Sequence, residues 1–411
     1  MTDRRRQRRA LQVAGVAGVA ALALAGCSGG GGGGGDDAGT LQVLIGSSGD
    51  AETNAVQAAV DAWSEESGVD VEVVAASDLG QELAQGFAGD IPPDLFYMSW
   101  DQFQTYAADE YLEPYASNLD NAGDFYPALV DTFTYDGDFI CDPKDFSTLG
   151  LVINTDLWAA AGLTDADIPT DWDQLASVAQ RLTTGGTVGL SMGAEYARVG
   201  VFMEQAGGGL VTDDEVTADS PENVEALTYL QGLLTSGSLA WPADLGAGWG
   251  GEAFGNGQAA MVIEGPWIAG ALENDFPDVS YQVAELPSGP GGQGTFTFSN
   301  CWGIPEGSDT ADDATSLVEF LTSDEQQLAF SDAFGVIPST ESAAATYAET
   351  YPENAAFVAG AEYAVSPIAF PGASEVVGEF NTVVPTLATA DPQAILTQLQ
   401  GQLEDAYAEA Q

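Results

Sequence analysis

The chain contains no histidine, and only eight of its 411 residues are lysine or arginine. Without imidazole a Ser-His-Asp triad cannot be assembled, and the usual zinc and haem ligand sets are missing. The three cysteines, Cys27, Cys141 and Cys301, include no Cys-x-x-Cys pair. Neither a metal nor another cofactor is therefore expected. Positive charge is scarcer than its count suggests, because Arg4, Arg5, Arg6, Arg8 and Arg9 are bunched at the start of the chain. Lys144, Arg181 and Arg198 are left to face all but one of 63 carboxylates. Nucleic acid is excluded as a partner, since its binding depends on cations that neutralise phosphate. The same field disfavours anionic lipid head groups and makes an anionic ligand a poorer candidate than a neutral or cationic one.

The N-terminal arginines precede a small-residue apolar stretch, Ala10 to Ala25, that ends in Leu24-Ala25-Gly26-Cys27. A basic run followed by a short apolar core reads as an export signal over residues 1–26, too short and too rich in Ala and Gly for a membrane-spanning helix. Leu24 to Cys27 resembles a lipobox, which would leave Cys27 as an acylated N-terminus on the outer face of the cytoplasmic membrane. Arg8-Arg9-Ala10-Leu11-Gln12 also resembles a twin-arginine signal, and the arginine run is too degenerate to choose between the two export routes. Ser28 and the seven glycines Gly29 to Gly35, followed by Asp36 and Asp37, cannot bury apolar surface and form a tether over residues 27–39. With Cys27 assigned to the lipid, Cys141 and Cys301 remain as an even pair in an exported chain, and a disulfide is expected.

About 370 residues follow the tether, more than one core ordinarily supports, so two lobes are expected. Leu41 to Ile45 reads as a buried strand. Ala55, Val56, Ala59, Val60 and Trp63 recur at helical spacing up to Ser67-Gly68, and Val69 to Val74 read as a second strand. Strand, helix, strand is a βαβ unit. A strand over residues 94–98, a helix over 99–112, a turn at Asp136-Gly137-Asp138 and a long extended run through 148–154 come next. Helices are expected at 155–161, 171–182 with Asp171 as N-cap, 222–235, 311–321, 324–334, 355–361 and 392–410. Further strands are expected at 189–192, 259–264 and 295–299. The alternation makes the fold class α/β with mixed sheets.

Several segments together resemble the extracellular solute-binding proteins of ABC importers, in the family with maltose- and oligosaccharide-binding members. They are Pro92-Pro93-Asp94-Leu95-Phe96-Tyr97, the run from Pro143-Lys144-Asp145 through Asn154 to Trp158, Trp172-Asp173-Gln174-Leu175, Gly257-Gln258-Ala259-Ala260-Met261 with Glu264-Gly265-Pro266-Trp267, and Gly335-Val336-Ile337-Pro338-Ser339. The resemblance implies a monomer of two α/β lobes of the periplasmic-binding-protein type, closing by a hinge on a small solute in the cleft between them. Lobe one would hold residues 40–146 and 303–345, and lobe two 147–302 and 346–411. Permease subunits of the importer would be its partners, and Cys27 would hold it to the membrane. Two neighbouring hinge crossings, 139–154 and 300–302, would bring Cys141 near Cys301.

A sugar is bound by aromatic faces on its C–H groups and by carboxylates and amides on its hydroxyls. The family-matched positions that offer these groups are Asp50, Glu52, Ser99, Trp100, Asp101, Asp145, Ser147, Glu195, Tyr196, Trp267 and Trp302. Trp63 and Trp158 lie on apolar helical faces and read as core, Trp241 and Trp249 are left open, and Glu264 reads as structural. The expected ligand is a mono- or oligosaccharide, with polyols, glycerol phosphodiesters, polyamines and peptides as the other classes. No enzyme activity is expected. Gly189-Leu190-Ser191-Met192-Gly193 has the spacing of a nucleophile elbow but no histidine to serve it, and a glycosidase based on paired carboxylates is the weaker reading. A sensor or adhesin of the same fold is the remaining alternative.

Overall fold

The structure is a computed structural model that describes residues 40–47, 49–212 and 215–410. The signal segment, the Cys27 lipidation site and the glycine tether lie outside the described residues. The strands used below are, in chain order, β1 (Leu41–Ile45), β2 (Val71–Ala75), β3 (Leu95–Ser99), β4 (Asp142–Pro143), β5 (Ser147–Thr148), β6 (Gly150–Asn154) and β7 (Val188–Ser191). They continue with β8 (Leu239–Ala240), β9 (Ala259–Glu264), β10 (Tyr281–Ala284), β11 (Thr295–Phe298), β12 (Asn300–Gly303) and β13 (Ala364–Val365).

Two mixed five-stranded sheets organise the molecule, one in the order β2-β1-β3-β12-β4 and the other β8-β7-β9-β6-β10. In the first, β1 runs parallel to β2 and β3, and β12 is antiparallel to β3. The helix Asp50–Ser67 returns β1 to β2, burying Val56, Ala59, Val60 and Trp63 on one face. It stops at Gly68, whose φ of 78° carries the chain into the left-handed region and lets its N–H reach Ser64 O. Separate apolar clusters cover the two faces of this sheet, around Trp63 and Trp302 on one side and around Phe96, Phe103 and Phe133 on the other. The second sheet packs the largest cluster, which includes Trp158, Trp172, Phe202 and Trp241. Helix Trp172–Leu182 starts where Asp171 accepts from Gln174 N, the expected cap.

Two antiparallel runs of chain pass from one sheet to the other. Cys301 pairs with Pro143 at the first sheet, and Thr297 and Phe298 pair with Thr148 and Ser147 in a small sheet of order β13-β11-β5. The extended run expected as one strand to Asn154 is in fact two, β5 and β6, broken at Leu149. The reason is local: Leu149 N donates to Thr295 Oγ1 (3.2 Å) and Thr295 Oγ1 donates back to Leu149 O (3.2 Å), so one hydroxyl satisfies the backbone where the strand changes sheets. The helix expected over 99–112 spans Trp100–Ala108, and Glu110, two residues past its end, has a φ of 57°. Cys141 and Cys301 form a disulfide across the two runs, with Cα atoms 5.6 Å apart and 160 residues between them in sequence.

Candidate functional site

β9 is buried along its whole length and ends in Glu264, which pairs in register with Gly150 of β6. Gly265-Pro266 then turns the chain into the helix Trp267–Asp275. Trp267 follows that turn and keeps 41% of its surface exposed. Its indole lies over Gly265, where a Cβ would come within 2.2 Å of the ring. Its Nε1 donates to Glu264 Oε2 at 3.1 Å. The same oxygen accepts from Arg198 Nη2 at 2.6 Å, while Arg198 Nη1 donates to Glu195 Oε1 at 2.7 Å. The guanidinium carbon lies 5.4 Å from the Trp267 ring centroid, within cation–π range. Burial raises the Glu264 pKa, an effect that Arg198 only partly offsets. Phe298, at the end of β11, stands between two tryptophans, with ring centroids 6.3 Å from Trp267 and 6.1 Å from Trp100. Trp100 opens the helix that follows β3, so aromatic groups from both large sheets meet on a strand that joins them.

A second polar cluster sits where β4 leaves the first sheet. Lys144 Nζ lies 3.3 Å from Glu52 Oε1, which also accepts from Tyr97 Oη at 3.1 Å, and the ammonium donates a hydrogen bond to Asp145. Lys144 Nζ is 4.6 Å from the Tyr97 ring centroid and 5.7 Å from that of Phe334. Burial raises the Asp145 pKa against the pull of Lys144. For Lys144 burial acts downward, but the Asp145 and Glu52 carboxylates outweigh it and hold the ammonium above its usual range. Tyr97 is pushed well up by burial and then by the Glu52 and Asp145 charges. One ammonium is thus shared between two buried carboxylates and the face of Tyr97.

A cavity of about 900 Å³ is lined by Asp50 and Glu52 at the start of the first long helix, by Pro266 and Trp267, and by Tyr281, Tyr347 and Tyr351. It has the aromatic and carboxylate lining that a sugar needs. Another cavity, of about 810 Å³ between the segments 126–132 and 361–369, contains none of the residues that sequence singled out. Ser99 is half-buried at the end of β3 and Ser147 at the start of β5, Asp101 is exposed on the helix after β3, and Glu195 is half-buried at the start of helix Tyr196–Gln205.

Two expected ligand residues are placed elsewhere. Tyr196 is 3% exposed and packs on Phe296, 5.2 Å between centroids, because the first turn of its helix faces the core. Trp302 is 1% exposed and packs edge-on against Tyr97 at 4.8 Å, since its position in β12 points into the sheet-one core. Trp63, Trp158 and Trp241 are also core residues. Sequence reasoning missed Arg198, Phe298 and the three cavity tyrosines. The strand Thr295-Phe296-Thr297-Phe298 carried a signal, for its alternation puts both phenylalanines on one face, where their rings meet edge-on at 6.4 Å, Phe296 wholly buried and Phe298 partly exposed at the strand end. Ser191, in the nucleophile-elbow spacing, is wholly buried on β7, and its hydroxyl has no partner. Among the described residues no group of three or more His, Cys, Asp or Glu is placed to hold a metal ion, and no helix is long and apolar enough to cross a membrane.

The chain is 26% identical over 219 residues to a probable ABC transporter-binding protein of Deinococcus radiodurans, a match that covers 49% of this chain and 51% of that one. It therefore spans about half the length of that curated relative. Over 98 residues it is 34% identical to a maltooligosaccharide ABC transporter solute-binding lipoprotein of Streptococcus pneumoniae, covering 23% of this chain and 22% of the other. In fold it resembles the cyclic alpha-maltosyl-1,6-maltose binding protein of Arthrobacter globiformis, with a TM-score of 0.79 and 24% identity over 90% of this chain and 99% of that one. That architecture is the two-lobed periplasmic-binding type, in keeping with the two mixed sheets and the strands that join them. Residues 58–359 match a family described as bacterial extracellular solute-binding protein, and the chain belongs to that family.

Proposed function

We propose that this protein captures a small hydrophilic solute, a mono- or oligosaccharide, between its lobes and delivers it to the permease of an ABC importer. The observation that carries this reading is the half-exposed indole of Trp267, pinned at its N–H and opening on a cavity that Asp50 and Glu52 also line. A pinned aromatic face beside acidic hydrogen-bond acceptors is suited to the apolar C–H face and the hydroxyls of a neutral sugar. The relatives named for maltooligosaccharide and cyclic maltose binding point the same way. Lobe one takes residues 40–146 and 300–345, the boundary expected at 303 moving back because β12 pairs with β3 in the first sheet, and lobe two takes 147–299 and 346–411, with the ligand-binding set reduced to Asp50, Glu52, Ser99, Trp100, Asp101, Asp145, Ser147, Glu195 and Trp267. The chain works outside the cytoplasmic membrane as a monomer without catalytic activity, held by a lipid on Cys27 after removal of residues 1–26.

A thermal-shift screen over neutral sugars tests the ligand, because a ligand that binds only the folded state raises Tm by mass action. A response to sugars is expected. Silence across the sugars together with a response to polyamines or peptides would overturn the carbohydrate reading. For the anchor, Cys27→Ser should release the protein from the membrane fraction and abolish incorporation of labelled palmitate. Retention of both would refute lipidation.

A further inference from the structure

Two of the three basic residues outside the N-terminal arginines lie beside the cavity without lining it, and one of them, Arg198, is held through both terminal nitrogens by groups that surround Trp267, while its buried Nε has no hydrogen-bond partner. Its Nη2 meets Glu264, its Nη1 meets Glu195, and its guanidinium carbon lies 5.4 Å from the Trp267 ring centroid. Glu264 is 2% exposed and accepts from both the guanidinium and the indole through one oxygen. Room for its carboxylate exists because residue 250 is glycine, where a Cβ would come within 2.5 Å of Glu264 Oε1. A buried ion pair is a poor source of stability compared with an apolar pair of similar size, so stability alone does not account for it. What the pair does supply is direction, since a charged acceptor at the end of β9 fixes where the indole N–H points.

We propose that Arg198 and Glu264 are positioning residues for the ligand platform, holding the Trp267 ring in its binding orientation before the ligand arrives. The inference rests on the reading that Trp267 receives the ligand. A side chain already ordered loses less freedom on binding, and affinity gains accordingly. Glu195, whose side chain is 43% exposed, holds the other terminal nitrogen of the guanidinium at 2.7 Å and completes the arrangement.

The full chain labelled with 5-fluorotryptophan tests this by ¹⁹F NMR, with the signal of position 267 among the eight tryptophans assigned by its loss in Trp267→Phe. Arg198→Met and Glu264→Gln should shift or broaden that signal and leave the cores around Trp63, Trp158 and Trp302 unchanged. Should Arg198→Met fail to fold, Arg198→Lys carries the same comparison. With maltotetraose as probe, Arg198→Met should weaken binding about tenfold in the native background and less than about twofold in a Trp267→Ala background, because a residue that acts through Trp267 has nothing to position once it is gone. An unchanged signal at 267, or an equal loss of affinity in both backgrounds, would overturn the inference while leaving the proposed function intact. If the unaltered chain binds no sugar, the carbohydrate reading fails and the ¹⁹F comparison decides the positioning role by itself.

Discussion

Replacing Lys144 with methionine keeps the length of the side chain and removes the charge that Glu52 and Asp145 share. The side chains of Lys144, Glu52 and Asp145 are 8%, 5% and 13% exposed, so water cannot replace the lost cation. At the 3.3 Å separation of Lys144 and Glu52, an effective dielectric constant of about 20 gives a gross attraction of about 5 kcal/mol, much of it offset by the cost of burying the charges. Removing one partner of such a pair costs about 3–5 kcal/mol, because an uncompensated charge stays behind. A carboxylate can escape that cost by taking up a proton, which from an ordinary pKa near 4 requires about 4 kcal/mol at pH 7 and about 1 kcal/mol at pH 5. The expected loss is therefore about 4 kcal/mol at pH 7, a fall in Tm of about 5 °C for a chain of this size, and clearly less at pH 5.

The sign follows from linkage. Burial already holds the folded-state pKa of Asp145 above its unfolded value, and without the pull of Lys144 it rises further, so stability is lost as pH rises from the unfolded pKa. Melting curves of the native and Lys144→Met chains at pH 5 and 7 measure both effects. Adding Glu52→Gln and Asp145→Asn to Lys144→Met should recover most of the loss. A penalty that is below about 1 kcal/mol at pH 7, or that does not change with pH, would refute the account of a buried charge triad.

Asp142 is wholly buried, neither carboxyl oxygen has a hydrogen-bond partner, and the nearby Thr322 hydroxyl donates instead to Val318 O at 2.8 Å. Burial pushes its pKa well up, so its contribution to stability declines as pH rises above the unfolded value. Asp142→Asn should raise Tm at pH 7 to 8 and flatten the pH dependence, and a lower Tm at pH 8 would contradict this. Cys141→Ser with Cys301→Ser should cost about 2–5 kcal/mol by restoring the freedom of a long loop in the unfolded chain; an unchanged melting curve would show that the bond does not constrain that state. Gly265→Ala should displace the Trp267 ring, which a Cβ would approach to 2.2 Å, and lower sugar affinity about tenfold, whereas unchanged affinity by calorimetry would remove that seat from the site.

Local pattern carried far into the fold. The helices 311–321, 324–334 and 392–410 and the strand 259–264 stand where the apolar pattern places them, because each helix buries one apolar face and the strand is an unbroken apolar run buried on both. Helices such as Leu79–Ala88 and Glu341–Thr350 went unread. Glycine, alanine and acidic residues dilute their apolar stripes, and contacts with neighbouring elements hold them instead.

What the sequence determined by itself was the scarcity of cations and the absence of imidazole, the α/β alternation, the cysteine pair and Trp267 behind its Gly-Pro turn. These are properties of composition or of a few adjacent residues, and no folding is needed to read them. Only the tertiary structure decided that Tyr196 and Trp302 turn inward, that Phe298 stands between Trp100 and Trp267, and that Arg198 and Glu264, 66 residues apart, meet beside the indole. The physical reason is that the direction of a side chain depends on the face its element buries, and that face is chosen by partners distant in sequence.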